Sequence, residues 1–236
     1  GAVPAAAVPV RAAREAAVPA GGDLPEWTRR MAPHEQLPPR PLSPSAVGDD
    51  EVADPPPTPA MRAAAERGRL MHALFERLPA LPAGQRAAAA DAWLAARGVA
   101  DRAVIIAPVL AVMEDAAFAD LFAPDVLVEA PISAMLPSGR VIAGTIDRLL
   151  VADGRVRVID YKTGRRVPVD AAGVPDFHVR QMAAYHTALE VIFPGHVIEA
   201  ALLYTAGPRL VTLPPDMLEA AKARFAGPEQ SLADGG

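Results

Sequence analysis

The stretch Arg155-Val-Arg-Val-Ile-Asp-Tyr-Lys-Thr-Gly164 begins apolar and ends charged. As a strand it places Val156, Val158, Asp160 and Lys162 on one face, because strand side chains alternate with a period of two. That face is core at its start and a carboxylate beside an ammonium at its end. Unpaired charge at the edge of a core is costly, so Asp160 and Lys162 read as half of a functional site. The same alternation turns Tyr161 to the opposite face.

The neighbouring sequence makes this strand part of a mixed sheet. Ala152-Asp153-Gly154 precedes it and reads as a hairpin turn, since Asp-Gly suits the positive φ that such turns require. Residues 125–135 (DVLVEAPISAM) and 140–151 (RVIAGTIDRLLV) read as two earlier strands joined at Pro137-Ser138-Gly139. The three form an antiparallel meander. After it come a loop with Pro168, Gly173 and Pro175, a helix over 176–193, strands over 197–205 and 209–213, and a helix over 216–225. Three helices come before it. The first runs from Thr58 or Pro59 to residue 78, with Thr58 as N-cap and Pro59 in its first turn. The others cover 83–97, stopped by Gly98, and 101–117. The expected class is α/β: a three-strand meander plus further strands, flanked by helices, with an N-terminal helical part. No internal repeat is visible.

Composition bounds the chemistry. The chain has 236 residues, is 51% hydrophobic and only 5% aromatic, and its alanine excess favours helix. It has no cysteine, which excludes disulfides, Fe–S clusters, thiolate zinc sites and cysteine nucleophiles. The longest uncharged apolar run, 103–113, falls well short of the about 20 residues that a membrane span needs. No signal peptide is apparent. Thirteen of the 26 prolines lie in the first 59 residues, roughly four times the usual density of about 5%. Residues 1–59 are therefore expected to form an extended or partly disordered arm, with 60–236 as the folded domain. Within the arm, Leu24-Pro25-Glu26-Trp27 is an island expected to pack on a neighbour. The chain begins with Gly and is expected to be part of something longer. A net charge of −5 counts against free-standing nucleic-acid binding. A site that holds a metal ion nonetheless needs acids at its centre, and Arg165 and Arg166 make the charge beside Lys162 locally positive.

Four pieces can meet. Asp147 lies near the end of the second meander strand, within reach of the third across the hairpin. Asp160 and Lys162 end the third. His72 sits on a helix one turn after Gly68, and the missing side chain permits another backbone to approach closely. Gln181 and Tyr185, spaced i,i+4, share a helix face with His178. Phosphodiester hydrolysis needs charge neutralised on phosphate and water deprotonated near pH 7, and divalent ions do both. Asp147 and Asp160 offer oxygens suited to Mg²⁺, and His72 adds a donor more congenial to Mn²⁺. Lys162 would orient the attacking water, Gln181 and Tyr185 would touch the phosphate or brace the lysine, and Arg165 counts with the substrate contacts. Glu129, a carboxylate among apolar strand residues, is either a further ligand or the partner of a strand arginine. The plain alternatives are a structural His72, an Asp160–Lys162 surface salt bridge and an Asp147 paired with Arg148 or Arg157.

In combination, Gly68-x-x-x-His72, Gly144-x-x-Asp147, Asp160-Tyr-Lys162-Thr-Gly and Gln181-x-x-x-Tyr185 resemble the RecB-family branch of the PD-(D/E)XK nucleases. The resemblance covers roughly residues 60–205 and extends to AddA-type nuclease domains of bacterial AddAB helicase–nucleases. It implies a restriction-endonuclease-like fold and metal-dependent DNA cleavage. His72, Asp147, Asp160 and the Tyr161 carbonyl would be metal ligands, Lys162 the catalytic lysine, and Gln181 and Tyr185 the helix motif. It also implies Mg²⁺ or Mn²⁺, single-stranded DNA cut with 3′–5′ polarity, an AddB-like partner subunit, and a role in recombinational repair in the bacterial cytoplasm. No GxxxxGK[ST] phosphate loop occurs in these residues, so the helicase would lie elsewhere in the native chain. A module of the same fold that binds DNA or a partner without cutting is the competing expectation.

Overall fold

The structure, a computed structural model, describes residues 41–46 and 57–223. The Leu24–Trp27 island and most of the proline-rich arm lie outside them. Helix α1 spans Pro59–Arg77, α2 Ala83–Ala95 and α3 Ala103–Glu114. The Thr58 side chain accepts from the Met61 N–H at 3.2 Å, so the expected cap opens α1. Met71, Leu74 and Phe75 form its buried face. Helix α3 ends earlier than the apolar pattern suggests. Asp115 accepts from the Ala117 N–H and starts a separate 3₁₀ segment, Ala116–Phe122.

Five strands follow in the order in which they pair: β1 Leu127–Met135, β2 Val141–Ala152, β3 Arg155–Lys162, β4 Val197–Tyr204 and β5 Arg209–Thr212. The first three are antiparallel, β3 and β4 are parallel, and β5 is antiparallel to β4. The helix α4, Asp176–Ile192, is the crossover that makes β3 and β4 parallel. Helix α5, Pro215–Lys222, completes the described part. Asp153 and Gly154 take φ of +27° and +75° at the hairpin, as their sequence demands.

Each face of the sheet has its own core. Val156, Val158 and Leu202 pack with Met182, Ala188 and Leu189 of α4 and Leu218 of α5. Ile159, Tyr161, Ala201 and Leu203 pack with Leu74, Phe75, Val109 and Val112 of α1 and α3. Strand β3 therefore alternates as read, with Tyr161 on the α1 side. A buried arginine ties this second core together. Arg148 is 1% exposed. Its Nε donates to the Tyr161 hydroxyl at 2.7 Å and its Nη2 to the Phe75 carbonyl at 2.5 Å. Phe75 lies in the last turn of α1, where carbonyls lack helical partners and a cation is favoured.

The sheet also forks. The β2–β3 ladder runs from Ala152↔Arg155 to Arg148↔Ile159 and stops. Beyond that rung β2 parts from β3 and runs on against β1, while β3 runs on against β4. Leu42 bridges Ile142 on the freed edge of β2, donating to the Val141 carbonyl and accepting from the Ala143 N–H. Residues 41–46, within the stretch expected to be an arm, are thus pinned to the sheet.

Candidate active site

Asp147 and Asp160 are the first residues past the last β2–β3 rung, so both carboxylates sit at the fork. Both are buried. The Tyr161 N–H, released from the ladder, donates to Asp147 Oδ2 at 2.6 Å. Asp147 Oδ1 lies 3.2 Å from His72 Nδ1. Arg148 and Arg157 turn elsewhere, Arg157 to Glu199 and Asp120, so neither pairs with Asp147. Gly68 explains how α1 reaches the fork: a Cβ there would come within 2.8 Å of Thr163 Oγ1. The close neighbour is a side chain, not the backbone expected from sequence. His72 follows one turn later, its ring edge-on to Tyr161 with centroids 5.5 Å apart.

Glu129 belongs here too. The β1–β2 ladder lacks one rung, between Val128↔Arg148 and Ala130↔Ile146. Glu129 occupies that gap with φ of +47°. A non-glycine residue in this region costs about 1–3 kcal/mol, and its carboxylate comes close to Asp147, the one acid of β2. His72, Glu129 and Asp147 bring one donor atom each to within 4.8 Å of one another. Asp160 is not one of these three. Its Oδ2 lies 2.8 Å from Lys162 Nζ, and its Oδ1 accepts from Gln181 Nε2 at 2.8 Å. Gln181 Oε1 in turn accepts from Lys162 Nζ at 2.7 Å. One amide thus holds acid and base together. The Asp160–Lys162 pair is a salt bridge, but with side chains only 10% and 13% exposed it is not a surface one.

Tyr185, one turn on, donates to the Thr145 carbonyl at 2.6 Å. Gly144 lies beneath it: a Cβ there would meet Pro44 Cδ at 2.9 Å and the Tyr185 ring at 3.3 Å. Ser43 and Ser45 of the pinned segment join these residues around a cleft of about 470 Å³. Two sequence-derived candidates lie outside it. His178 and Arg165 line an adjoining pocket, and burial, reinforced by the Lys162 charge, pushes the His178 pKa down to about 3.

The electrostatics follow from crowding. Burial raises the Asp160 pKa to about 6, opposed by Lys162 and assisted by Asp147. Glu129 is raised by burial and then by Asp147. Burial alone would depress His72, yet its hydrogen bond to Asp147 and the charges of Asp147, Asp160 and Glu129 raise it. Three carboxylates thus meet in one cleft with a single lysine. Two carboxylates and an imidazole at this separation suit a divalent cation of the Mg²⁺ or Mn²⁺ kind. The family model described as the PD-(D/E)XK nuclease superfamily matches residues 48–232.

The chain belongs to the PD-(D/E)XK nuclease superfamily. The forked five-strand sheet flanked by helices is consistent with the restriction-endonuclease-like architecture of that superfamily, and its nucleases use divalent metals. A search of curated proteins returns no match. Among solved structures, one titled "Crystal structure of SSO0001" is similar at 16% identity, covering 70% of this chain and 84% of that one, with a TM-score of 0.32. No helix among the described residues is long and apolar enough to cross a membrane. Sequence reasoning missed Ser43 and Ser45, which sit in a proline-rich stretch without chemical signal. It also missed Arg148 as a core residue, although a lone cation within Ile146–Leu150 was the available cue.

Proposed function

We propose that this domain is a divalent-metal-dependent deoxyribonuclease that cuts single-stranded DNA fed to it by a helicase. The observation that carries the reading is the side-by-side placement of two devices at the fork. One is the donor set His72, Glu129 and Asp147; the other is the Asp160–Lys162–Gln181 clamp. A divalent ion held by Asp147 with His72 and Glu129, and by Asp160 and the Tyr161 carbonyl in the reading from family resemblance, would offset phosphate charge and ease deprotonation of water. Lys162 is the cation that lines the cleft and is aimed by Gln181 and Asp160. It would hold the attacking water and meet negative charge developing on phosphate. Tyr185 commits its one hydroxyl proton to the Thr145 carbonyl and so braces the cleft wall.

The narrower assignment follows the motif order. The protein acts, in this reading, as the AddA-type nuclease of a bacterial helicase–nuclease: a cytoplasmic exonuclease working with an AddB-like subunit in recombinational repair of double-strand breaks. The test is cleavage of end-labelled single strands by the chain with Mg²⁺ or Mn²⁺. Metal-dependent products that vanish in Lys162→Met are expected. A wild-type chain that binds metal and DNA but never cuts would favour the non-cleaving module instead.

A further inference from the structure

A second pocket, of about 430 Å³, adjoins the cleft and shares Tyr161 and Lys162 with it as walls. Its other lining includes Arg165, Arg166, Phe177, His178 and Tyr204. The chemistry assigned to the cleft makes no use of these rings. Phe177 is 50% exposed and lines the pocket, so its ring is open to a ligand there. Its ring lies 4.1 Å from that of His178, centroid to centroid. His178 Nδ1 is 3.5 Å from the Tyr204 hydroxyl. Arg165 and Arg166 are exposed at the rim. The pocket therefore offers ring faces and guanidinium groups together, immediately past the lysine of the cleft.

A polynucleotide with one phosphate at the cleft must run on along some path, and the shared Lys162 wall makes this pocket adjacent to it. Rings beside arginines are what single-strand binding uses, since any base can stack and guanidinium takes the phosphate. Building on the DNA-nuclease reading, we infer that the pocket holds one unstacked base of a single-stranded DNA against Phe177 and His178, with its flanking phosphate on Arg165 or Arg166. A base so held is out of any duplex, so the pocket also makes the cleft selective for single strands.

The test is an abasic scan on the full chain. Labelled 12-mer oligothymidylates, each lacking one base at a different position, are bound in chelator and followed by fluorescence anisotropy. One position should weaken binding by about tenfold. Phe177→Ala should weaken the intact strand by a similar factor and level the scan, and Phe177→Trp should restore it. One of Arg165→Gln and Arg166→Gln should reduce the salt slope by about 0.7, and the other should leave it unchanged. A flat scan, an unaffected Phe177→Ala, absent DNA binding, or equally tight binding of a 12-base-pair duplex would overturn the inference. Cleavage by the wild-type chain, measured separately with Mn²⁺, keeps the two readings apart. Cleavage with a flat scan removes the pocket and leaves the nuclease; a Phe177-dependent scan without cleavage does the reverse.

Discussion

His72, Glu129 and Asp147 gather one histidine and two carboxylates within 4.8 Å, and so do His186, Glu190 and Glu219. What else touches each group separates them. Lys222 donates to Glu190 at 2.8 Å and to Glu219 at 2.5 Å, so the second group carries its own cation. That lysine is held above its ordinary pKa: the two glutamates outweigh burial, which opposes the shift. At the fork, Lys162 turns instead to Asp160 and Gln181. Glu129 and Asp147 are left with His72; burial and then the charge of Asp147 raise the pKa of Glu129, while the acids raise that of the histidine against its burial. A donor count does not make a metal site; uncompensated negative charge in a partly buried cleft does.

The largest expected effect is on cleavage. Asp160→Asn and Lys162→Met should each slow single-turnover cleavage by about 10²–10³-fold or more, whereas Lys222→Met should leave it unchanged. Equal losses at both lysines would break the comparison. Next comes metal affinity, read by calorimetry with Mn²⁺. Glu129→Gln and His72→Ala should weaken it, by roughly tenfold or more, while Glu190→Gln should not. Affinity should also fall between pH 7 and 5.5. Asp160 gains its proton as pH drops through about 6, His72 is raised in the same direction, and ligands bind metal only when deprotonated. Affinity flat across that window would mean that neither group is a ligand.

Part of this was legible in the sequence. Strict alternation through Val156, Val158, Asp160 and Lys162 showed which way β3 faces, because a one-residue slip would turn both charges to the opposite face. Gln181 and Tyr185 were readable for the same periodic reason. The fork was not readable, since no local signal tells β2 to leave β3 after Arg148. Glu129 stayed ambiguous because its place depends on a backbone conformation that glutamate seldom adopts. The docking of Leu42 and Pro44 was hidden because it is set by the shape of the free β2 edge and by the missing side chain of Gly144. Tyr161 was read as a packing ring with a useful carbonyl, but its hydroxyl also serves Arg148, which sequence spacing does not reveal.

Smaller effects sharpen the contrast. Tyr161→Phe should cost about 1–3 kcal/mol in urea unfolding, because buried Arg148 loses an acceptor, with cleavage per folded molecule nearly unchanged. A cleavage loss larger than the folded fraction explains would show that the hydroxyl serves the site directly. Lys222→Met should cost only about 1 kcal/mol or less, since Glu190 and Glu219 are substantially exposed. It should also confer weak Mn²⁺ binding at the second group; none would mean that geometry, not the lysine, disqualifies it.

The most direct measurement is anomalous scattering from crystals of the chain soaked in Mn²⁺. We expect a peak about 2.0–2.3 Å from donors of Asp147 and His72 or Glu129, and none at His186, Glu190 and Glu219. A peak at the second group, or none at Asp147, would contradict the assignment of the fork as the metal site.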